Sequence, residues 1–231
     1  MKASSSPRVY GPRLARRSSG DEAALLIRRM IFDGELRPGE RVPQDDVAAT
    51  LGISRIPVRE ALIALEREGW VTIEMHRGAF VNAFDARSVR DHYALFGLVY
   101  GFAGRLAIAR SGPELVGRLS ELLAACDATD DPVEFGVVAS AFQATVVDAA
   151  HSPKVKVLLR AMSALVPGDF FALVPDAMTV WRRGFGGVLR AFKRADGDAV
   201  ADEFLRAMRR IGEKVVAVFD ERGLFELVST A

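Results

Sequence analysis

Apolar side chains recur at three- and four-residue intervals from Asp21 to Asp33, placing Ala24, Ile27 and Ile31 on one side of a helix that Gly34 and Pro38-Gly39 bring to an end. A second, shorter helix is expected from Gln44 to Leu51, with Val47, Ala48 and Leu51 turned inward and Gly52 breaking it. Ser54 then offers a hydroxyl cap for a third helix, Pro57 fits its first turn, and the helix runs to Gly69. Val58, Ala61, Leu62 and Leu65 form its apolar stripe, whereas Arg55, Arg59 and Glu66 lie off that stripe and face solvent or a ligand. Val71 to Met75 and Ala79 to Asn82 flank His76-Arg77-Gly78, a strand, tight turn, strand pattern in which glycine is free to take positive φ. Three helices and a hairpin predict a winged helix-turn-helix over residues 21–82.

Beyond a boundary near Asn82 to Asp85 the texture changes to long helical periodicity. Val89, Tyr93, Phe96, Tyr100, Ala103 and Ala107 form one stripe, and Val200, Phe204, Met208, Ile211, Val215 and Val218 form another. Pro113, Pro132, Pro153 and Pro175 fall where new helices can start. The expected fold is mostly α: a winged helix-turn-helix with a small hairpin wing, then an all-α bundle of about six helices over residues 83–231.

Composition narrows the function classes. Half of the 231 residues are apolar and 26% are charged, which suits a chain with a substantial core. Basic side chains outnumber acidic ones by only 31 to 30, so bulk charge nominates no partner, and placement has to decide. Residues 1–20 hold Lys2, Arg8, Arg13, Arg16 and Arg17 and no acidic residue, and are expected to form a flexible basic arm; residues 21–82 hold 8 basic against 11 acidic side chains. Cys126 is the single cysteine, which excludes an intramolecular disulfide and suits a reducing compartment. No apolar run is long enough to span a bilayer, so the expectation is a cytoplasmic protein without a membrane partner.

The most informative stretch reads Gly34-x-Leu36-x-Pro38-Gly39, then Val47-Ala48-x-x-Leu51-Gly52-Ile53-Ser54-Arg55-x-Pro57-Val58-Arg59-Glu60-Ala61-Leu62, then Leu65-x-x-Glu68-Gly69 and Arg77-Gly78-x-x-Val81. Over about 60 residues it resembles the DNA-binding domain of GntR-family bacterial transcription regulators, and the layout behind it resembles the FadR-type subfamily with an FCD-type effector domain. The resemblance implies that Ser54, Arg55, Pro57 and Arg59 contact operator DNA, with Arg77 and Gly78 at the wing tip, assisted by His76; Gln44 at the head of the second helix joins this candidate set. Physical chemistry points the same way. Arg55 and Arg59 lie one turn apart on one face, a guanidinium fork matches guanine O6 and N7, and the start of a helix attracts phosphate. One winged helix reads only a few base pairs, so a homodimer on a palindromic operator is expected, and the basic arm is either an added set of phosphate contacts or a solubilising tail.

FCD-type domains commonly hold a metal through three histidines and an aspartate. The family positions align here with Ala139, Gln143, Phe185 and the neighbourhood of Ala207, Met208 and Ile211, none of which is a good ligand, so neither metal nor other cofactor is expected. The Arg-x-x-x-Glu pair common on the first helix of such domains aligns with Phe96 and Tyr100. Together with Phe142 and Phe185 these replacements give either a core collapsed into the space or an apolar cavity for an effector such as a fatty acid or acyl-CoA, with Tyr100, Gln143, Arg182 and Arg183 as polar handles. His92 reads as a surface or interdomain residue, His151 as a helix ending, and the run Asp196, Asp198, Asp202 and Glu203 as a solvated helix start. No nucleophile and base pair, phosphate-cradling loop or zinc-helix histidine pair is present, which argues against an enzyme. Besides a ligand-sensing repressor, two readings remain open: a regulator whose helical domain only dimerises, and an architectural DNA-binding protein.

Overall fold

The computed structural model describes residues 18–162 and 165–225. Most of the expected basic arm, residues 1–17, lies outside the described residues. The first helix, α1 (Ser19–Phe32), begins two residues earlier than its apolar pattern predicts. The reason is a capping box: Ser18 Oγ accepts from the Asp21 amide at 3.1 Å while Asp21 Oδ2 accepts from the Ser18 amide at 3.1 Å. Asp21 is therefore the third residue of the helix rather than its start.

α2 (Gln44–Leu51) and α3 (Arg55–Arg67) complete the three-helix core, and β1 (Val71–Glu74) pairs antiparallel with β2 (Gly78–Val81) to form the wing. Both strands stop one residue short of the expected Met75 and Asn82, and β2 starts one residue early. Ala24, Ile27, Ile31, Val47, Ala48, Val58, Ala61, Leu62 and Leu65 are buried as the periodicity requires, joined by Trp70, Val71, Ala79 and Val81 beneath the wing, while Leu51 is half-buried at the edge. Residues 39–42 lie along the outer side of β2, with the Val42 amide donating to Ala79 O at 2.8 Å and the Val81 amide to Glu40 O at 2.9 Å. That alignment draws Arg41 onto the wing, where it bridges to Phe80.

The second half consists of α4 (Ala86–Arg110), α5 (Glu114–Ala128), α6 (Pro132–Ala149), α7 (Pro153–Ala161), the four-residue α8 (Phe170–Leu173), α9 (Ala177–Lys193) and α10 (Gly197–Glu221). Pro132 and Pro153 open their helices, Pro113 stands one residue before α5, and Pro175 precedes α9 by two. α4 and α10 pack along a stripe of small residues. A Cβ on Gly101 would come within 2.9 Å of Ala201 Cα, and one on Gly97 within 2.8 Å of Leu205 Cα, so the backbones approach as only glycine allows. Asp196 caps α10 by accepting from the Ala199 amide at 2.9 Å, and Asp198 pairs with Arg105 at 2.7 Å, so the acidic run belongs to a helix start. Among the described residues no helix is long and apolar enough to cross a membrane.

An aromatic seam joins the two halves. Trp70 meets Phe84 edge-on at 5.0 Å, Phe84 meets Phe219 of α10 at 5.0 Å, and Phe219 meets Phe32 of α1 at 5.9 Å. Arg222 closes the seam, with its guanidinium 4.1 Å from the Phe32 ring centre and Nη1 donating to Asp33 Oδ1 at 2.8 Å.

Candidate nucleic-acid interface

The turn between α2 and α3 sets the geometry of the site. Gly52 takes φ +64° at the end of α2, the chain reverses, and Ser54 stands at the N-cap of α3 in extended conformation. The hydroxyl of Ser54 does not cap the helix as expected: it accepts no hydrogen bond from the first turn, and the residue is exposed. The first amides of α3 therefore face outward without a side-chain cap, an arrangement suited to an anion.

Between the start of α2, the outer face of α3 and the wing lies a groove of about 790 Å³. Of the residues selected from sequence, Gln44, Arg55, Arg59, His76 and Gly78 line it. Ser54, Pro57 and Arg77 lie outside its wall: Ser54 and Arg77 are exposed at its margins and Pro57 is half-buried in the first turn of α3. Arg59 is exposed and makes no ion pair with any described residue. Arg55 is engaged, with Nε 2.5 Å from Asp45 Oδ1 and Nη2 donating to Asp45 Oδ2 at 2.7 Å. At the wing tip, Arg77 pairs with Glu74 and lies over the Phe80 ring at 5.4 Å. His76 itself takes φ +63°, unusual outside glycine, so the loop tip has two left-handed positions, one at His76 and one at Gly78 (φ +116°).

Sequence reasoning missed Arg41, Asp45 and Asp46 in the groove wall. Arg41 had no helical neighbours to give it a face; its place follows from the pairing of residues 39–42 with β2. There its guanidinium fills the space beside Gly78, where any Cβ would sit 2.6 Å from Arg41 Nε. Glu66 departs from expectation in part. It is exposed as expected, but it also reaches the wing, accepting from the Ile73 amide at 2.7 Å and so tying β1 to α3. The groove is thus a mixed surface: Arg41, Arg55 and Arg59 supply cations, Asp45, Asp46 and Glu74 supply anions, and Ile63, Ile73 and Met75 supply exposed apolar patches.

The helical domain offers a contrasting set. Phe142 and Phe185 are fully buried and stack with ring centres 4.0 Å apart, and Ala139 is buried beside them in the same cluster. Phe96 stacks on Tyr100 at 6.2 Å, and Tyr100 on Phe204 at 5.6 Å; burial pushes the Tyr100 phenol up to about 12, so it remains protonated near neutrality. Gln143 is half-buried. Arg182 is committed elsewhere than expected: Nε donates to Cys126 O at 3.0 Å and Nη2 to Asp130 Oδ1 at 3.0 Å, with a further bond to Thr129 O, and the guanidinium lies 5.2 Å over Phe135. It clamps the end of α5 because the last carbonyls of a helix lack intrahelical donors. Arg183 is exposed. Phe96, Tyr100, Ala139, Phe142, Gln143, Arg182 and Phe185 line neither the groove beside α3 nor the grooves between α1 and α3, at the junction of the two halves, and between α4 and α10. His92 is half-buried and lines a groove at the junction of the two halves, beside Asp85 and Leu165. Among the described residues, no three His, Cys, Asp or Glu side chains gather as a metal would require.

The sequence profile of the bacterial regulatory proteins of the gntR family matches residues 20–81, and that of the FCD domain matches residues 91–210. An HTH-type transcriptional regulator of Mycobacterium tuberculosis is 32% identical over 165 residues, a match covering 71% of this chain and 66% of that protein. The HTH-type transcriptional regulator YdhC of Bacillus subtilis is 28% identical over 144 residues, covering 61% and 64%. Among solved structures, McbR/YncC of Escherichia coli shares the fold with a TM-score of 0.58 at 17% identity, over 89% of this chain and 99% of that one.

Proposed function

Because the chain belongs to the GntR family and carries an FCD domain behind its winged helix, we propose that it is a sequence-specific regulator of transcription of the FadR type, binding a palindromic operator as a homodimer. The observation that carries this reading is the groove beside α3. It presents Arg55 and Arg59 outward at the uncapped start of a helix, flanked by a wing whose tip carries His76 and Arg77. Guanidinium forks read base edges in the major groove, and helix starts and wing cations hold phosphates. Relatives named as transcriptional regulators support a binding role rather than an enzymatic one.

In the helical domain the effector of our reading is a small apolar molecule of fatty acid or acyl-CoA type, whose binding weakens the hold on DNA. Support comes from the family's metal positions, which here carry Ala139, Gln143 and Phe185 in or beside an aromatic core. The stacked Phe142 and Phe185 rings fill that space, so an acyl chain has to part them on entry. A ligand shifts the equilibrium only by its preference for the opened state.

Both parts are tested together by selecting duplexes from a random pool, footprinting the winner and repeating with Arg55→Ala at fixed salt. Protection of one palindrome, a loss of about 1–3 kcal/mol in discrimination for the variant, and release of the duplex by acyl-CoA are the expected results. Uniform coating of DNA marks an architectural protein instead. Protection that no acyl ligand alters, with no rise in melting temperature, marks a helical domain that only dimerises.

A further inference from the structure

Asp45, the second residue of α2, and Arg55, the first of α3, are brought side by side by the turn at Gly52. The carboxylate takes the lateral edge of the guanidinium, with Nε 2.5 Å from Oδ1 and Nη2 donating to Oδ2 at 2.7 Å. The terminal edge, made by Nη1 and the second hydrogen of Nη2, has no partner among the described residues. That edge presents two parallel N–H groups, as a bidentate contact to guanine N7 and O6 requires. Both side chains remain 65% exposed, so the pair contributes little to holding the fold together.

We propose that Asp45 is a positioning residue that fixes Arg55 so that the free edge of its guanidinium addresses a guanine, and thereby sets specificity for that base. The inference rests on the DNA-reading role proposed above. An unpaired arginine loses rotamer freedom when it docks, whereas one already held by a carboxylate binds with that cost met in advance. The same carboxylate stands in a groove that phosphates approach, and so repels duplexes in which Arg55 gains no guanine in return. Positioning and repulsion both widen the gap between operator and unrelated DNA. They have opposite effects on affinity: losing Asp45 weakens the operator complex and tightens the unspecific one.

The test measures wild type, Asp45→Ala and Asp45→Asn, as full chains at one salt concentration, on the selected operator, on the same operator with 7-deazaguanine in place of guanine, and on an unrelated duplex. Wild type is expected to lose about tenfold on the deaza operator, where N7 is gone, and the variants only about twofold. Unrelated DNA is expected to bind the variants about twofold more tightly. A purely structural role would move neither the deaza penalty nor the unspecific affinity, and melting curves report folding separately. Variants that keep the full deaza penalty and the same ratio of operator to unrelated binding overturn the inference, as does a selective wild type indifferent to the deaza substitution. A wild type without preference for any duplex overturns the DNA-reading proposal, and this inference with it.

Discussion

The groove beside α3 and the core of the helical bundle were both identified by the same family resemblance, yet they are built in opposite ways. In the first, the residues that the resemblance assigns to DNA are present, and Arg55 and Arg59 stand exposed among charged neighbours. In the second, the metal ligands that the resemblance would place are missing, and Ala139, Phe142 and Phe185 are sealed from solvent. A reading face must meet a solvated, highly charged partner and keeps its polar chemistry outward. A core built around the stacked Phe142 and Phe185 rings gains more by closing, since a dry cavity forfeits the contacts of its lining.

The largest expected effect tests how firmly the bundle is closed. Phe142→Ala should cost about 3–5 kcal/mol in denaturant unfolding, and it leaves a space against Phe185 that small apolar molecules can fill. A loss below 1 kcal/mol would mean that the rings are not tightly packed and that the contrast with the groove is weaker than described. Next comes the approach of α4 to α10. Gly101→Ala places a methyl 2.9 Å from Ala201 Cα and should destabilise by about 1–3 kcal/mol, measured in the same way. Wild-type stability in that variant would show that α4 and α10 part without cost and that the bundle is looser than described.

The smallest effect lies at the junction of the two regions. Asp85 caps α4, accepting from the Arg87 and Ser88 amides at 3.1 and 2.9 Å and from the Ser88 hydroxyl at 2.9 Å. These bonds, the Ser88 hydroxyl foremost, hold its carboxyl below the ordinary carboxylate value. Because the folded value is the lower one, the stabilisation is complete above the unfolded value near 3.8 and is lost as pH falls through the folded value. Asp85→Ala should lower the melting temperature by about 2 °C at neutral pH, and the difference should vanish in acid. A gap that persists at pH 2 would assign the effect to something other than the charged cap.

What the sequence made legible was periodic or punctuated. The apolar stripes gave the faces of α3, α4 and α10, and prolines and glycines gave most helix limits within two residues. α1 was misplaced at its start because Ser18 and Asp21 cap each other, an exchange invisible to a hydrophobic pattern. The groove was legible as far as its helical members went. Arg41 and Asp45 escaped because their roles arise from neighbours distant in sequence, β2 in one case and α3 in the other. The partners of Arg182 are hidden for the same reason: the carbonyls it holds, at the end of α5 and its cap, lie 53 and 56 positions away.

The seam of rings has a mechanical meaning. α10 touches the glycine stripe of α4 near Ala201, and Phe219 sits about 27 Å further along the same rod at 1.5 Å per residue. A tilt of about 4° around the first point carries the second through about 2 Å. Phe219 leans on Phe84, and Phe84 on Trp70 behind the wing, so any such tilt would arrive at the hairpin as a displacement comparable to the width of an atom. One rod thus runs from the glycines of α4 to the rings that back the wing.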